Sequence, residues 1–166
     1  MLERLDRYGP AARIFAQAVP ARPGSIAGMF VRSLGDVQAS GRELMVADNS
    51  VRTARFLTAA DGVGFSFSEF RQAAGAEARL WYKHHWEANY VIEGSGELEE
   101  VATGRRWPLE PGTLYVVGPD DRHVMRAATD MRVVSIFNPP IMGDEDHDVD
   151  GSYPPTGPTP PGPSRG

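Results

Sequence analysis

Two residues apart on one apolar segment, His85 and Glu87 have the types and spacing that could do chemistry. An extended strand sends every second side chain to the same face, so the pair points together, as two ligands inside a barrel would. His123, after the Gly118-Pro119 turn, is the histidine positioned to add a third ligand, and Tyr115 on the intervening strand is a further oxygen donor. His84 then faces the opposite way. A single histidine is more often a surface or hydrogen-bonded core residue. Glu87 shifts that balance, because a carboxylate among Trp81, Trp86, Ala88 and Tyr90 is costly to bury without a cation or a donor. The chain has no cysteine, so any metal is held by nitrogen and oxygen, a donor set that suits Fe(II), Mn(II), Ni(II) or Zn(II) without choosing among them.

The elements that must position these residues read as short strands. Arg79–Val91 (RLWYKHHWEANYV) alternates as one strand, with Trp81, Lys83, His85, Glu87, Asn89 and Val91 on one face and both faces partly buried. Gly94-Ser95-Gly96 turns the chain, Pro111-Gly112 and Gly118-Pro119 bracket a strand over Thr113–Val117, and Met131–Phe137 is a further strand running into Asn138-Pro139-Pro140. Such a succession predicts an all-β antiparallel fold, a small barrel. Leu2–Ala18 has helix-compatible spacing interrupted at Gly9-Pro10 and is followed by the proline-bearing VPARPGS, which reads as an appendage outside the core domain. From Gly151 onward the sequence is so rich in proline, glycine and serine that a disordered tail is expected, drawn as residues 153–166. The acidic run Asp144–Asp150 lacks the central glycine and terminal glutamate of a calcium loop, and its direct succession from Asn138-Pro139-Pro140 makes it a lid over the barrel mouth.

Composition narrows the partners. The 166 residues, 41% of them hydrophobic, suffice for one core. No apolar run is long enough to span a membrane, and the charged start MLERLDRYGP lacks the apolar centre of a secretory signal, so a cytoplasmic location is expected. A net charge of −5 without a basic block argues against nucleic acid and for a small-molecule partner.

The segments MFVRSLGDVQASGRELMV, HHWEANYVIEGSGELEE, LEPGTLYVVGPDDRHVMRA and VVSIFNPPIMGDEDHDVDGSY together resemble the ectoine synthase family of cupins, from about Met29 to Tyr153, which implies a domain over residues 29–152 and makes residues 1–28 a partly helical or flexible extension. The resemblance implies a jelly-roll cupin barrel and a metal, iron or another divalent ion, held by Glu87, Tyr115 and His123. His85 then stands behind the ligands, in a supporting position. It further implies a hydro-lyase that closes N-γ-acetyl-2,4-diaminobutyrate to the cyclic amidine ectoine, an osmolyte, with Arg55, Ser68, Phe70, Ser135 and Phe137 against the substrate and Tyr82, Glu145 and His147 serving catalysis. Arg55 is suited to grip a carboxylate, and Glu145 or His147 to move protons. A homodimer is expected of the family.

The chain departs from the family around the substrate and not around the metal. Val51 stands where the family has tryptophan, Phe70 where it has a polar residue, Ser135 where it has cysteine and Trp81 where it has histidine. Two alternatives therefore stand beside ectoine synthesis: a related cupin that cyclises or hydrolyses a different amide, and a non-catalytic small-molecule-binding cupin.

Overall fold

The computed structural model describes residues 29–47 and 49–156. The expected extension, residues 1–28, lies outside the described residues, as do residues 157–166 of the tail. One short helix, α1 (Leu34–Ala39), opens the described chain, capped by Ser33, whose hydroxyl accepts from the Asp36 amide while the Asp36 carboxylate accepts from the Ser33 amide. Ten strands follow: β1 (Glu43–Val46), β2 (Val51–Leu57), β3 (Ser66–Gln72), β4 (Glu77–Leu80), β5 (Trp86–Glu93), β6 (Gly96–Glu100), β7 (Arg106–Leu109), β8 (Leu114–Val117), β9 (His123–Ala127) and β10 (Met131–Asn138). They form two antiparallel sheets, ordered β1-β2-β3-β10-β5-β8 and β4-β9-β6-β7, the all-β barrel that the turn pattern predicts.

Alternation decides what each strand turns inward. On β10, Met131, Val133, Ser135 and Phe137 are buried, while Ile136 is exposed. On β5, Glu87, Asn89 and Val91 are buried, while Trp86 and Tyr90 are exposed. Apolar residues close the two ends of the interior. Val91, Leu98, Leu109, Met125 and Val133 fill one end, and Tyr82, Val117, Phe137, Ile141 and Tyr153 cluster at the other. Between them lies a polar layer.

Two expectations are corrected. Arg79–Val91 is not one strand: β4 ends at Leu80, which pairs with His123 in the four-stranded sheet, and β5 begins at Trp86 in the six-stranded sheet. The chain crosses between sheets over residues 81–85, and the turn at Lys83-His84 breaks the alternation, so that Tyr82 and Glu87 both face the interior although strict alternation separates them. The tail does not begin at Gly151 or at residue 153. Gly151, Ser152 and Tyr153 are buried, because the Trp81 amide donates to the Gly151 carbonyl (3.1 Å) and the Ser152 hydroxyl accepts from the Lys83 amide (3.1 Å). Composition is a poor guide where three residues are tied down by another strand's free backbone groups.

Gly151 is required at this junction. Its φ is +76°, and a Cβ there would stand 2.4 Å from the Arg79 carbonyl oxygen. Gly151→Ala is expected to cost about 1–3 kcal/mol in urea-induced unfolding and to loosen the 144–153 segment to proteolysis; an unchanged unfolding midpoint would show that the junction tolerates the methyl group.

Candidate active site

Three sequence-nominated residues reach the interior from different strands. Register places Asn89 opposite Tyr115 and Glu87 opposite Val117, so the inward faces of β5 and β8 are continuous. His123 enters from the facing sheet, paired with Leu80 and Glu100. Tyr115 lines both the cavity that holds Glu87 and the adjoining cleft that holds His123, and so stands between carboxylate and imidazole.

The electrostatics of each residue follows from burial. Glu87 is 4% exposed, and the Ser135 hydroxyl donates to its Oε1 at 2.7 Å. Loss of water pushes the Glu87 carboxyl up to about 7, against the pull of Ser135. Asn89, the next inward residue, favours the ionised form as well, although neither of its amide atoms makes a hydrogen bond of normal geometry. Burial, joined by the Glu87 charge, raises the Tyr115 phenol well above its ordinary range; its hydroxyl has only the Met125 sulfur at 3.6 Å. His123 Nδ1 lies 3.0 Å from the Asp121 carbonyl, which can only accept, so Nδ1 carries the proton and Nε2 presents a lone pair. That Nε2 is buried without a partner, and burial lowers the pKa of the ring. A basic imidazole nitrogen fixed by a hydrogen bond at its other nitrogen, a carboxylate short of donors and a buried phenol fit a divalent cation. Among the described residues no group of three His, Asp or Glu side chains is placed to hold a metal; beside Glu87 and His123 the further oxygen is the Tyr115 phenol.

His85 does not point into the cavity beside Glu87. Its ring is fully buried between the Pro139 carbonyl (2.8 Å from Nδ1) and the Pro154 carbonyl (3.1 Å from Nε2), because it lies on the crossing between sheets and not on β5. There it ties the chain after β10 to the segment after Tyr153. His84 is exposed.

A second group gathers under the lid. Tyr82 Oη lies 3.0 Å from His147 Nε2, and the His147 ring stacks on Tyr153 at 4.2 Å. Burial pushes Tyr82 well above the usual phenol range, with the Glu87 charge adding to the shift. His147 is pulled down to about 4, chiefly by burial, with Arg55 acting in the same sense and Asp146 opposing. At neutral pH Tyr82 therefore keeps its proton and His147 is an uncharged imidazole, so the two share one hydrogen bond between neutral groups. Ser68, Phe70, Ser135 and Phe137 line the same cavity.

Arg55 and Glu145 do not line it. The Arg55 guanidinium is fully buried, donating to the Glu145 carbonyl at 2.6 Å, to Glu145 Oε2 at 3.4 Å and to the Tyr153 hydroxyl at 3.4 Å. Glu145 also accepts from the Met142 amide (2.6 Å) and the Gly143 amide (2.5 Å). These bonds outweigh burial and keep its carboxyl below the ordinary range. The pair joins β2 to the segment after Pro140 through Nη1 and Nη2 of Arg55, while its buried Nε has no hydrogen-bond partner. Tyr153 is the functional position that composition concealed; the tyrosine ending DGSY was the available signal. Gln72 was missed too, although the inward parity Ser66, Ser68, Phe70, Gln72 marks it.

A twisted double sheet enclosing an inward carboxylate, phenol and imidazole defines a cupin barrel with a candidate metal centre. The same fold is seen in a Cupin 2 conserved barrel domain protein from Salinispora arenicola (TM-score 0.54, 19% identity, covering 67% of this chain and 89% of that one). The family profile described as Ectoine synthase matches residues 29–157. L-ectoine synthase of Shouchella clausii is 44% identical over 76% of this chain and 92% of its own length, and that of Oceanobacillus iheyensis is 46% identical over 76% and 97%. The crystal structure of ectoine synthase from P. lautus superposes with a TM-score of 0.67 at 37% identity, covering 81% of this chain and 95% of that one. The chain belongs to the ectoine synthase family, and it is an enzyme of that hydro-lyase type.

Glu87 and His147 give opposite dependences of stability on pH. The raised Glu87 pKa means that the folded state holds its proton longer, so stability falls as pH rises from 4.5 through about 7. The lowered His147 pKa means that the folded state refuses a proton, so stability falls as pH drops from 6.5 through about 4. Between pH 4.5 and 6.5 the two slopes offset each other. In chelator-treated protein, Glu87→Gln is therefore expected to unmask a loss of roughly 3 kcal/mol on acidification, measured by urea unfolding across that range. An unchanged pH profile would refute the assigned protonation states.

Proposed function

We propose that the enzyme closes N-γ-acetyl-2,4-diaminobutyrate to the cyclic amidine ectoine, and that Glu87, Tyr115 and His123 hold its metal. The supporting observation is the juxtaposition, in one cavity, of an electron-rich carboxylate and phenol with a proton donor and acceptor 3.0 Å apart. An amide carbonyl is a weak electrophile, and a bound divalent metal, iron as the family resemblance implies, supplies the Lewis acidity that polarises its oxygen.

The chain's own residues supply the rest. Ring closure joins the α-amine nitrogen to the acetamide carbon and expels the carbonyl oxygen as water, so protons leave nitrogen and arrive on oxygen. Tyr82, protonated at neutral pH, gives its proton to the departing oxygen, and the proton released by the amine passes to His147, which returns it to Tyr82 across their 3.0 Å contact, so that the pair ends as it began. Phe137 and Tyr153 pack edge-on and face-on against the Tyr82 ring, with centroids 4.9 and 5.5 Å away, which fixes its direction. The apolar wall of Phe137, Ile141 and Leu80 excludes the water that would drive hydrolysis.

The exposed outer face of Trp86, Tyr90, Leu114 and Val116, ending at the open edge of β8, supports a homodimer. No helix among the described residues is long and apolar enough to cross a membrane, and a cytoplasmic location is proposed with the reaction.

Iron-loaded protein incubated with N-γ-acetyl-2,4-diaminobutyrate is expected to release one water per substrate, followed by mass spectrometry; recovery of intact substrate would sink the reading. Glu87→Ala and His123→Ala are each expected to strip metal from the purified protein, whereas Tyr82→Phe keeps the metal and lowers kcat by about 10²–10⁴-fold. Equal metal content in the two ligand variants and the wild type would remove the ligand assignment.

A further inference from the structure

The cavity has a second polar pole, far from Glu87. Ser66, Ser68, Phe70 and Gln72 form the inward face of β3. Ser68 is level with Ser135, the residue that donates to Glu87, whereas Gln72 is level with Val51 and Met131. Four residues of extended strand, roughly 13 Å, separate the two positions. Gln72 lines the cavity, is 1% exposed, and neither its Nε2 nor its Oε1 has a hydrogen-bond partner. The Ser68 hydroxyl, 2% exposed, is likewise without a partner. Buried amides are rarely left with both a donor and an acceptor unused.

The surroundings specify what would satisfy Gln72. Phe70, Val51, Val46 and Ala78 line the cavity beside it, and no lysine or arginine is among the lining residues. Nothing there compensates an anion: Arg55 is not among the lining residues, and its two terminal nitrogens face Glu145 and Tyr153. The complementary group is neutral and both donates and accepts: a hydroxyl or a primary carboxamide, at the end of an apolar chain a few carbons long. An acetyl methyl reacting beside Glu87 is too short to reach it.

We propose that Gln72 is a specificity-determining residue, and that the enzyme also takes N-γ-acyl diamino acids whose acyl chain is longer than acetyl and tipped with a neutral hydroxyl or carboxamide. This rests on the ring-closing reading. Phe70 and Val51 flank the chain, and the Gln72 amide bonds its tip through Nε2–H and Oε1. A site with a buried hydrogen-bonding group rejects the analogue lacking the partner much more strongly than a plain apolar pocket rejects an added group.

The test compares N-γ-acetyl-, butanoyl-, 4-hydroxybutanoyl- and succinamoyl-2,4-diaminobutyrate on the metal-loaded wild type and on Gln72→Leu and Gln72→Met. The wild type is expected to favour the hydroxybutanoyl or succinamoyl compound over butanoyl by at least about 10-fold in kcat/KM, the two tips telling hydroxyl from carboxamide. Either variant is expected to reverse that ratio in favour of butanoyl while unfolding at the same or a higher temperature, since a buried amide without partners is removed. Equal turnover of butanoyl and both tipped compounds, or a preference that survives in both variants, overturns the proposal even if the acetyl compound is cyclised. If no compound loses water, ring closure fails on its own account. The Gln72 assignment is then decided by calorimetric binding of the same compounds: tighter binding of a tipped chain than of butanoyl, lost in Gln72→Leu, sustains it, and equal affinities overturn it.

Discussion

A carboxylate enclosed by an apolar barrel is the constraint on which the rest of the structure depends. Glu87 could be kept neutral by protonation, or kept charged by donors and a cation. The barrel takes a middle course: one hydroxyl, Ser135, bonds it, and its pKa of about 7 leaves it divided between the two forms when alone. A positive charge at this spot would therefore be stabilised more than at an ordinary surface glutamate, and the neighbouring groups are consistent with that need. Tyr115 is close enough to feel the Glu87 charge, and His123 offers a lone pair whose direction its bond to Asp121 has fixed. Interior polarity of this kind is costly without a guest.

Much of the fold was legible in the sequence because its signals are local. Glycine and proline mark the turns, and inward parity on β5 and β10 follows from alternation alone; Glu87, Ser135 and Phe137 could be placed in the interior on that basis. What alternation could not reveal is where a strand changes sheet. The crossing at residues 81–85 carries Tyr82 inward and diverts His85 to two proline carbonyls, and it is stabilised by partners about 55 to 70 positions away in sequence. Long-range backbone pairing of that sort leaves no periodic trace. The same reason hid Tyr153, whose proline-rich neighbourhood suggests disorder until the free backbone groups of the crossing are known.

The candidate site was legible unevenly. The three proposed ligands could be nominated because each lies on a regular strand or at its first residue. Arg55 is legible by its chemistry, as a cation suited to carboxylates, but its full burial on β2 beside Glu145, 90 positions away, leaves no mark in the sequence. Of the departures from the family, Val51 and Phe70 lie on β2 and β3 beside Gln72, whereas Ser135 lies on β10 and donates to Glu87.

The crossing between sheets has one more consequence. His147, which bonds the Tyr82 hydroxyl, belongs to the same segment whose Gly151 and Ser152 bond the backbone on either side of Tyr82. Any displacement of that segment would part His147 from the phenol it bonds, so the alignment of Tyr82 depends on backbone contacts made about 70 residues away in sequence.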